Sequence, residues 1–127
     1  MASHAKFYRP LAGLCTQALV SACGGAGRSS VAASHSDEQA GQRAIEHYGC
    51  TACHVIPGVQ GGSGMVGPPL AGFAQRETIA DAVPNTPDNL VHWIQNPPSV
   101  KPGTTMPSLD VSDADARAIA AYLSKLN

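Results

Sequence analysis

Residues 50–54 read Cys-Thr-Ala-Cys-His, and no other stretch of the 127 residues constrains the chain as strongly. Two thiols separated by two residues can each add across one vinyl group of a haem. The product is a pair of thioethers on one edge of the macrocycle, the c-type attachment pattern. The histidine directly after the second cysteine is then carried beneath the iron, where one ring nitrogen coordinates it. Cys50, Cys53 and His54 are therefore the first site residues expected, and the chain is expected to fold around one covalent haem c. Other uses of such a pair fit less well. A thioredoxin-like dithiol needs a βαβ setting, and strand-like runs are few. A structural zinc site needs about four ligands, whereas the remaining cysteines, Cys15 and Cys23, stand in a different kind of segment.

The composition agrees with a cofactor-filled core. Aromatic residues make up only 5% of the chain, against 13 glycines and 10 prolines. Side chains alone would build a thin core for one small domain. A buried macrocycle supplies the missing apolar surface, as cofactors and staples commonly do in small domains.

The N-terminus reads as an export signal, residues 1–22. Lys6 and Arg9 form a basic start, and Leu11 to Ala22 form an apolar stretch too short to span a membrane. Val20-Ser21-Ala22-Cys23 resembles a bacterial lipobox, in which the cysteine is lipidated and becomes the mature N-terminus. Leu14 makes Cys15 a poorer fit, and ordinary cleavage at small residues is the alternative. Residues 23–35 are then expected to be a flexible tether. The twelve residues from Gly24 to His35 would span about 20 Å as a random coil. This reading puts the domain, residues 36–127, on the periplasmic side of a bacterial membrane, held there by lipid.

Charge is segregated along the chain. All nine acidic residues lie beyond the tether, where only Arg43, Arg76, Lys101, Arg117 and Lys125 oppose them, giving the domain a net charge of −4. That excludes nucleic acid as a partner class. It directs any electrostatic steering toward basic partners.

Three helical segments are expected, with Gly/Pro-rich loops between them. The first begins at Ser36, with Gln39 completing a capping box, and runs to about Tyr48. The second begins at Thr86 with Pro87 at the favoured first position and is stopped by Pro97-Pro98. The third has Ser112 as N-cap and Asp115 three positions on; Ile119, Tyr122, Leu123 and Leu126 form its apolar stripe.

The order of short helix, C-x-x-C-H, Gly-Pro-x-Leu at 67–70, middle helix, Pro-Gly-x-x-Met-Pro at 102–107 and terminal helix resembles class I c-type cytochromes. The resemblance covers about residues 36–127, and Leu90 to Pro107 is most similar to the cytochrome c domains fused to some bacterial oxidase subunits II. It implies an all-α fold of three to four short helices and Gly/Pro-rich loops wrapped around one haem. It also implies that Met106 closes the iron as second ligand. Met65, only eleven positions after His54, is the competitor; His35, His47 and His92 could in principle ligate, and of these His47 and His92 are read as surface residues. By the same resemblance the Pro68 carbonyl accepts the other ring N–H of His54, Leu70 packs on the macrocycle, and Trp93 offers its N–H to a propionate or simply fills the core. Gly41 and Ile45 are expected to meet Ile119 and Tyr122 where the terminal helices cross.

The function so implied is one-electron transfer in a bacterial respiratory or periplasmic redox chain, by a carrier and not an enzyme. Its partners would be proteins (an oxidase, a dehydrogenase or another cytochrome), with no small-molecule substrate. The alternative is a catalytic or gas-sensing haem with an open sixth site.

Overall fold

Glycine at position 41 decides how the two ends of the domain meet. A Cβ there would lie 2.5 Å from the Ala118 carbonyl oxygen and 2.7 Å from Tyr122 Cβ, so the two helices touch backbone to backbone. The helices are α1, Ala26–His47, and α4, Asp113–Leu123. Between them run α2, Pro87–Gln95, a four-residue α3, Pro97–Val100, and two 3₁₀ turns at Cys50–Ala52 and Phe73–Gln75. A small antiparallel hairpin pairs β1, Thr78–Ile79, with β2, Val83–Pro84, in the register Ile79 opposite Val83. The computed structural model describes residues 26–62, 64 and 66–127, with side chains from His35 onward.

Ile45 of α1 is fully buried, and Ile119, Ala120 and Leu123 of α4 are buried with it, so the apolar stripe of α4 faces the crossing. Leu90, Val91 and Ile94 of α2 complete this core. Local chemistry sets the helix starts. Thr86 Oγ1 accepts from the Asn89 N–H at 3.3 Å, with Pro87 directly inside the cap. Ser112 Oγ accepts from the Asp115 N–H at 3.1 Å. Tyr122 reaches out of the crossing and donates to the Pro57 carbonyl at 2.7 Å, tying α4 to the loop after the C-x-x-C-H run.

One expectation needs correction, and the structure adds two features to the others. The first helix does not begin at Ser36 but at Ala26, so most of the segment expected to be a flexible tether is helical. Apart from Gly27 those residues include no helix breaker, and alanines and an arginine favour the helix enough to carry it through the serines. Pro97-Pro98 end α2 but also open α3, because the first turn of a helix needs no N–H from them. The hairpin was not expected at all. Its turn carries Ala80 and Asp81 at φ 53° and 54°, where Asn-Gly would be the usual signal.

Candidate functional site

The attachment run is shaped by its own backbone. Gly49, at φ 66°, releases the chain from α1. Ala52 N–H then donates to Gly49 O at 3.0 Å and Cys53 N–H to Cys50 O at 3.3 Å, winding Cys50–Ala52 into a 3₁₀ turn. Residues three apart eclipse one another in such a turn, so both half-buried thiols come to the same side. They are not joined by a disulfide. Burial is the main cause that pushes the Cys50 thiol above its ordinary pKa; the neighbouring Cys53 adds to it, and a backbone hydrogen bond works against it.

The segment 67–70 is zipped onto this run. Gly67 N–H donates to Cys53 O at 2.8 Å, and Leu70 N–H to Val55 O at 2.8 Å. His54 is held between them. Its Nδ1 lies 2.8 Å from the Pro68 carbonyl oxygen, which can only accept, so Nδ1 donates and Nε2 is left to coordinate. A Cβ on Gly67 would stand 2.3 Å from His54 Cε1; the imidazole therefore lies directly against the glycine backbone. Across the attachment turn, Gly62 at φ 72° packs so closely on Thr51 O that a Cβ there would overlap it at 1.5 Å.

Met106 comes from a second loop. A turn with Thr104 N–H donating to Lys101 O at 3.1 Å sets this loop, and Met106 N–H donates to Thr104 Oγ1 at 3.3 Å. Ser108 Oγ donates to Asn96 Oδ1 at 3.3 Å and fixes the loop's exit to the end of α2.

These two loops meet around one cavity of about 450 Å³, lined among others by Cys50, Cys53, His54, Pro68, Leu70, Trp93 and Met106. A smaller pocket of about 60 Å³ lies against the core, walled by Ile45, Leu90, Ile119 and Leu123 and sharing Cys50, His54, Trp93 and Met106 with the first. The structure thus gathers every expected cofactor-binding residue in one place. It leaves His35, His47 and His92 outside, all exposed. His92 Nε2 lies 3.3 Å from Ser99 Oγ, and His47 packs edge-on against Tyr48. Cys23 and Met65 lie outside the described residues.

The residues fit a haem. The cavity falls within the range of about 300–1,000 Å³ typical of cofactor sites. Its walls are largely apolar, two thiols stand together on its rim, and an oriented imidazole and a thioether both reach it. A bare metal ion fits poorly, since no group of three or more His, Cys, Asp or Glu forms among the described residues.

Four ionisable lining residues are not anticipated by the sequence: Tyr48, Arg76, Asp81 and Lys101. Tyr48 was read only as a helix-face residue, yet it lines the cavity and its hydroxyl donates to Asp115 Oδ2 at 2.9 Å. Ser112 N–H donates in turn to that hydroxyl at 3.3 Å, and Ser112 Oγ donates to the same carboxylate oxygen at 2.8 Å. The Ser112 and Tyr48 hydroxyls together hold the Asp115 carboxyl below its ordinary pKa. Arg76, Asp81 and Lys101 were read only as charges. Tyr48 and Lys101 are placed there by partners distant in the chain, Asp115 and Ala80, which no local pattern in the sequence marks.

A family model described as Cytochrome c matches residues 38–127. Three cytochrome c oxidase subunit 2 proteins resemble the chain. The one from Alkalihalophilus pseudofirmus is 39% identical over 88 residues, which is 68% of this chain and 25% of the relative. The one from Bacillus sp. strain PS3 is 31% identical, over 65% and 24%. That from Bacillus subtilis is 27% identical, over 68% and 25%. The chain spans about a quarter of the length of the curated relatives it matches.

Proposed function

The chain belongs to the cytochrome c family and carries one covalent haem c on a class I fold, and from that premise we propose that it is a one-electron carrier whose iron is held between His54 and Met106. The observation that carries this reading is the cavity of about 450 Å³ to which one loop brings Cys50, Cys53 and His54 and another brings Met106. When bound, the haem supplies reversible ferric–ferrous chemistry. The chain's own residues do the rest. Cys50 and Cys53 tether the ring through two thioethers. Pro68 and Gly67 fix the His54 ring from its edge and its face, so that Nε2 is presented in one tautomer and one orientation. Met106 offers a soft, neutral sulfur that favours the ferrous state and raises the potential above that of a bis-histidine site. Two prolines, Pro102 and Pro107, stiffen its loop and limit rearrangement between oxidation states.

Electrons pass between this domain and redox partner proteins that dock briefly at the Cys50–Cys53 edge. The similarity to oxidase subunits points to a membrane-bound respiratory chain, in which the domain serves as a shuttle or as part of a larger assembly. Residues 1–22 export it and Cys23 anchors it by lipid, with residues 23–35 as the connection. No helix among the described residues is long and apolar enough to cross a membrane.

Carbon monoxide tests the closed site. Ferrous holoprotein should show no spectral response to the gas, whereas Met106→Ala should bind it promptly. Prompt binding by the unaltered protein would put a catalytic or gas-sensing haem with an open sixth site ahead of the carrier.

A further inference from the structure

Three charged side chains line the cavity, Arg76, Asp81 and Lys101, and two of them are cations in a domain whose overall charge is −4. Neither cation has a carboxylate partner: among the described residues the only ion pair is Arg117 with Asp113, on the far surface of α4. Each is held by a carbonyl instead. Arg76 Nη2 donates to Pro69 O, next to the residue that holds His54, and its guanidinium lies 5.3 Å over the Phe73 ring. Lys101 Nζ donates to Ala80 O at 2.8 Å across 21 positions of sequence. A carbonyl dipole answers only part of a full charge, so both cations keep most of their attraction for an anion.

The Ala80 carbonyl sits where it does at a cost. Ala82 N–H donates to Ile79 O at 3.0 Å, closing a turn whose two central residues, Ala80 and Asp81, are both left-handed. For Ala80 that conformation costs about 1–2 kcal/mol, while Asp81 tolerates it more readily; strain of this kind tends to persist at functional positions.

We propose that Lys101 is the counter-charge of a haem propionate, so that the propionate end of the macrocycle faces the β1–β2 turn and the loop bearing Met106 is closed through that ion pair. The assignment rests on the His54/Met106 reading above. Lys101 stands five positions before Met106, on the turn that sets its loop, and its stem bridges that loop to Ala80. Lys101 is thus a positioning residue with two effects. It holds the Met106 loop against the hairpin, and it places a positive charge beside the haem that favours the added electron. The other ionisable groups facing the same space are Arg76, Asp81, Tyr48 and His54, with Cys50 and Cys53 taken up as thioethers in the holoprotein.

The test is an equilibrium redox titration of isolated holoprotein, as a function of pH, for the unaltered chain, Lys101→Gln, Lys101→Met and Lys101→Arg. Using isolated protein separates a propionate from an acidic partner as the anion. At fixed poise the ferrous-to-ferric ratio should fall about three- to tenfold in Lys101→Gln and Lys101→Met, the order expected for losing one unit charge beside the haem at an effective dielectric between that of water and that of the interior. Lys101→Arg should restore the ratio. The two neutral variants should also gain a pH dependence between about pH 5 and 8 as the uncompensated propionate titrates nearer neutrality. A ratio within about twofold of the unaltered protein, with the same pH profile, would overturn the assignment even if the variants melt earlier. The sulfur-to-iron band of the ferric protein separates the two readings. Its absence from the unaltered protein strikes Met106 as ligand; its presence with unchanged poise strikes Lys101 alone.

Discussion

Gly67 is the residue whose replacement tells most about the site. A Cβ there would overlap the His54 ring at 2.3 Å, and the ring cannot retreat without breaking the bond from Nδ1 to Pro68 O. Gly67→Ala should therefore destabilise the holoprotein by about 1–3 kcal/mol, as overpacking does, and disturb the haem spectrum; denaturant melts and visible absorbance together check both. Asp115 offers a test of charge. Its folded-state pKa is depressed by the Ser112 and Tyr48 hydroxyls. A depressed carboxylate contributes stability that is present above its unfolded-state value and is lost as the pH falls through the lower, folded-state value. Asp115→Asn should flatten this acid limb in melts run from neutral pH downward, while leaving the neutral and alkaline limbs parallel to those of the unaltered protein. Tyr48→Phe removes one donor and one acceptor from the same network and should cost about 1 kcal/mol at neutral pH. The roles of Cys50, Cys53 and His54 could be anticipated because their chemistry lies within five consecutive residues. Tyr48 could not, since its partners Ser112 and Asp115 stand more than sixty positions away.

At the level of elements, the crossing of α1 and α4 is the joint on which the domain closes. Gly41→Ala would gain about 1 kcal/mol of helix propensity. It would also force Ala118 and Tyr122 apart from contacts of 2.5 and 2.7 Å to the new Cβ. The clash should win, giving a net loss of about 1–2 kcal/mol in thermal or denaturant melts; a stabilised variant would mean the helices separate more easily than their contacts imply. Both downstream helix starts could be read in advance, because Thr86 before Pro87 and Ser112 before Asp115 satisfy their own first-turn N–H groups locally. The start of α1 could not, because a Ser–Gln capping pattern at Ser36 is equally at home inside a helix whose preceding residues favour it. The hairpin escaped for a different reason. Ala80-Asp81 lacks the glycine that usually marks a left-handed turn, and the contact that meets it from Lys101 lies 21 positions away.

The whole molecule is a cofactor-dependent core with an acidic surface. Its buried side chains form a layer around α1, α2 and α4, and the cavity of about 450 Å³ beside them completes the interior when filled. The net charge of −4 over residues 36–127, to which haem propionates add, implies that association with a basic partner slows as salt is raised. At this scale the reading of export and anchoring also makes a prediction. Labelling cells with a fatty-acid analogue should mark the unaltered chain and not Cys23→Ala, while the haem spectrum stays the same; equal labelling would refute the anchor. The fold was legible at this scale because the spacing of the attachment run, the Gly-Pro-x-Leu segment and the methionine loop is itself long-range information. The propionate end was not, since Arg76, Asp81 and Lys101 become neighbours of one cavity only when the hairpin and the loop fold together.

The central claim is that His54 and Met106 close the iron, and the ferric visible spectrum tests it most directly. A weak long-wavelength sulfur-to-iron band should be present in the holoprotein, disappear in Met106→Ala and survive in Met65→Leu. A band that is missing from the unaltered protein, or that survives Met106→Ala and is lost with Met65→Leu, would contradict the account.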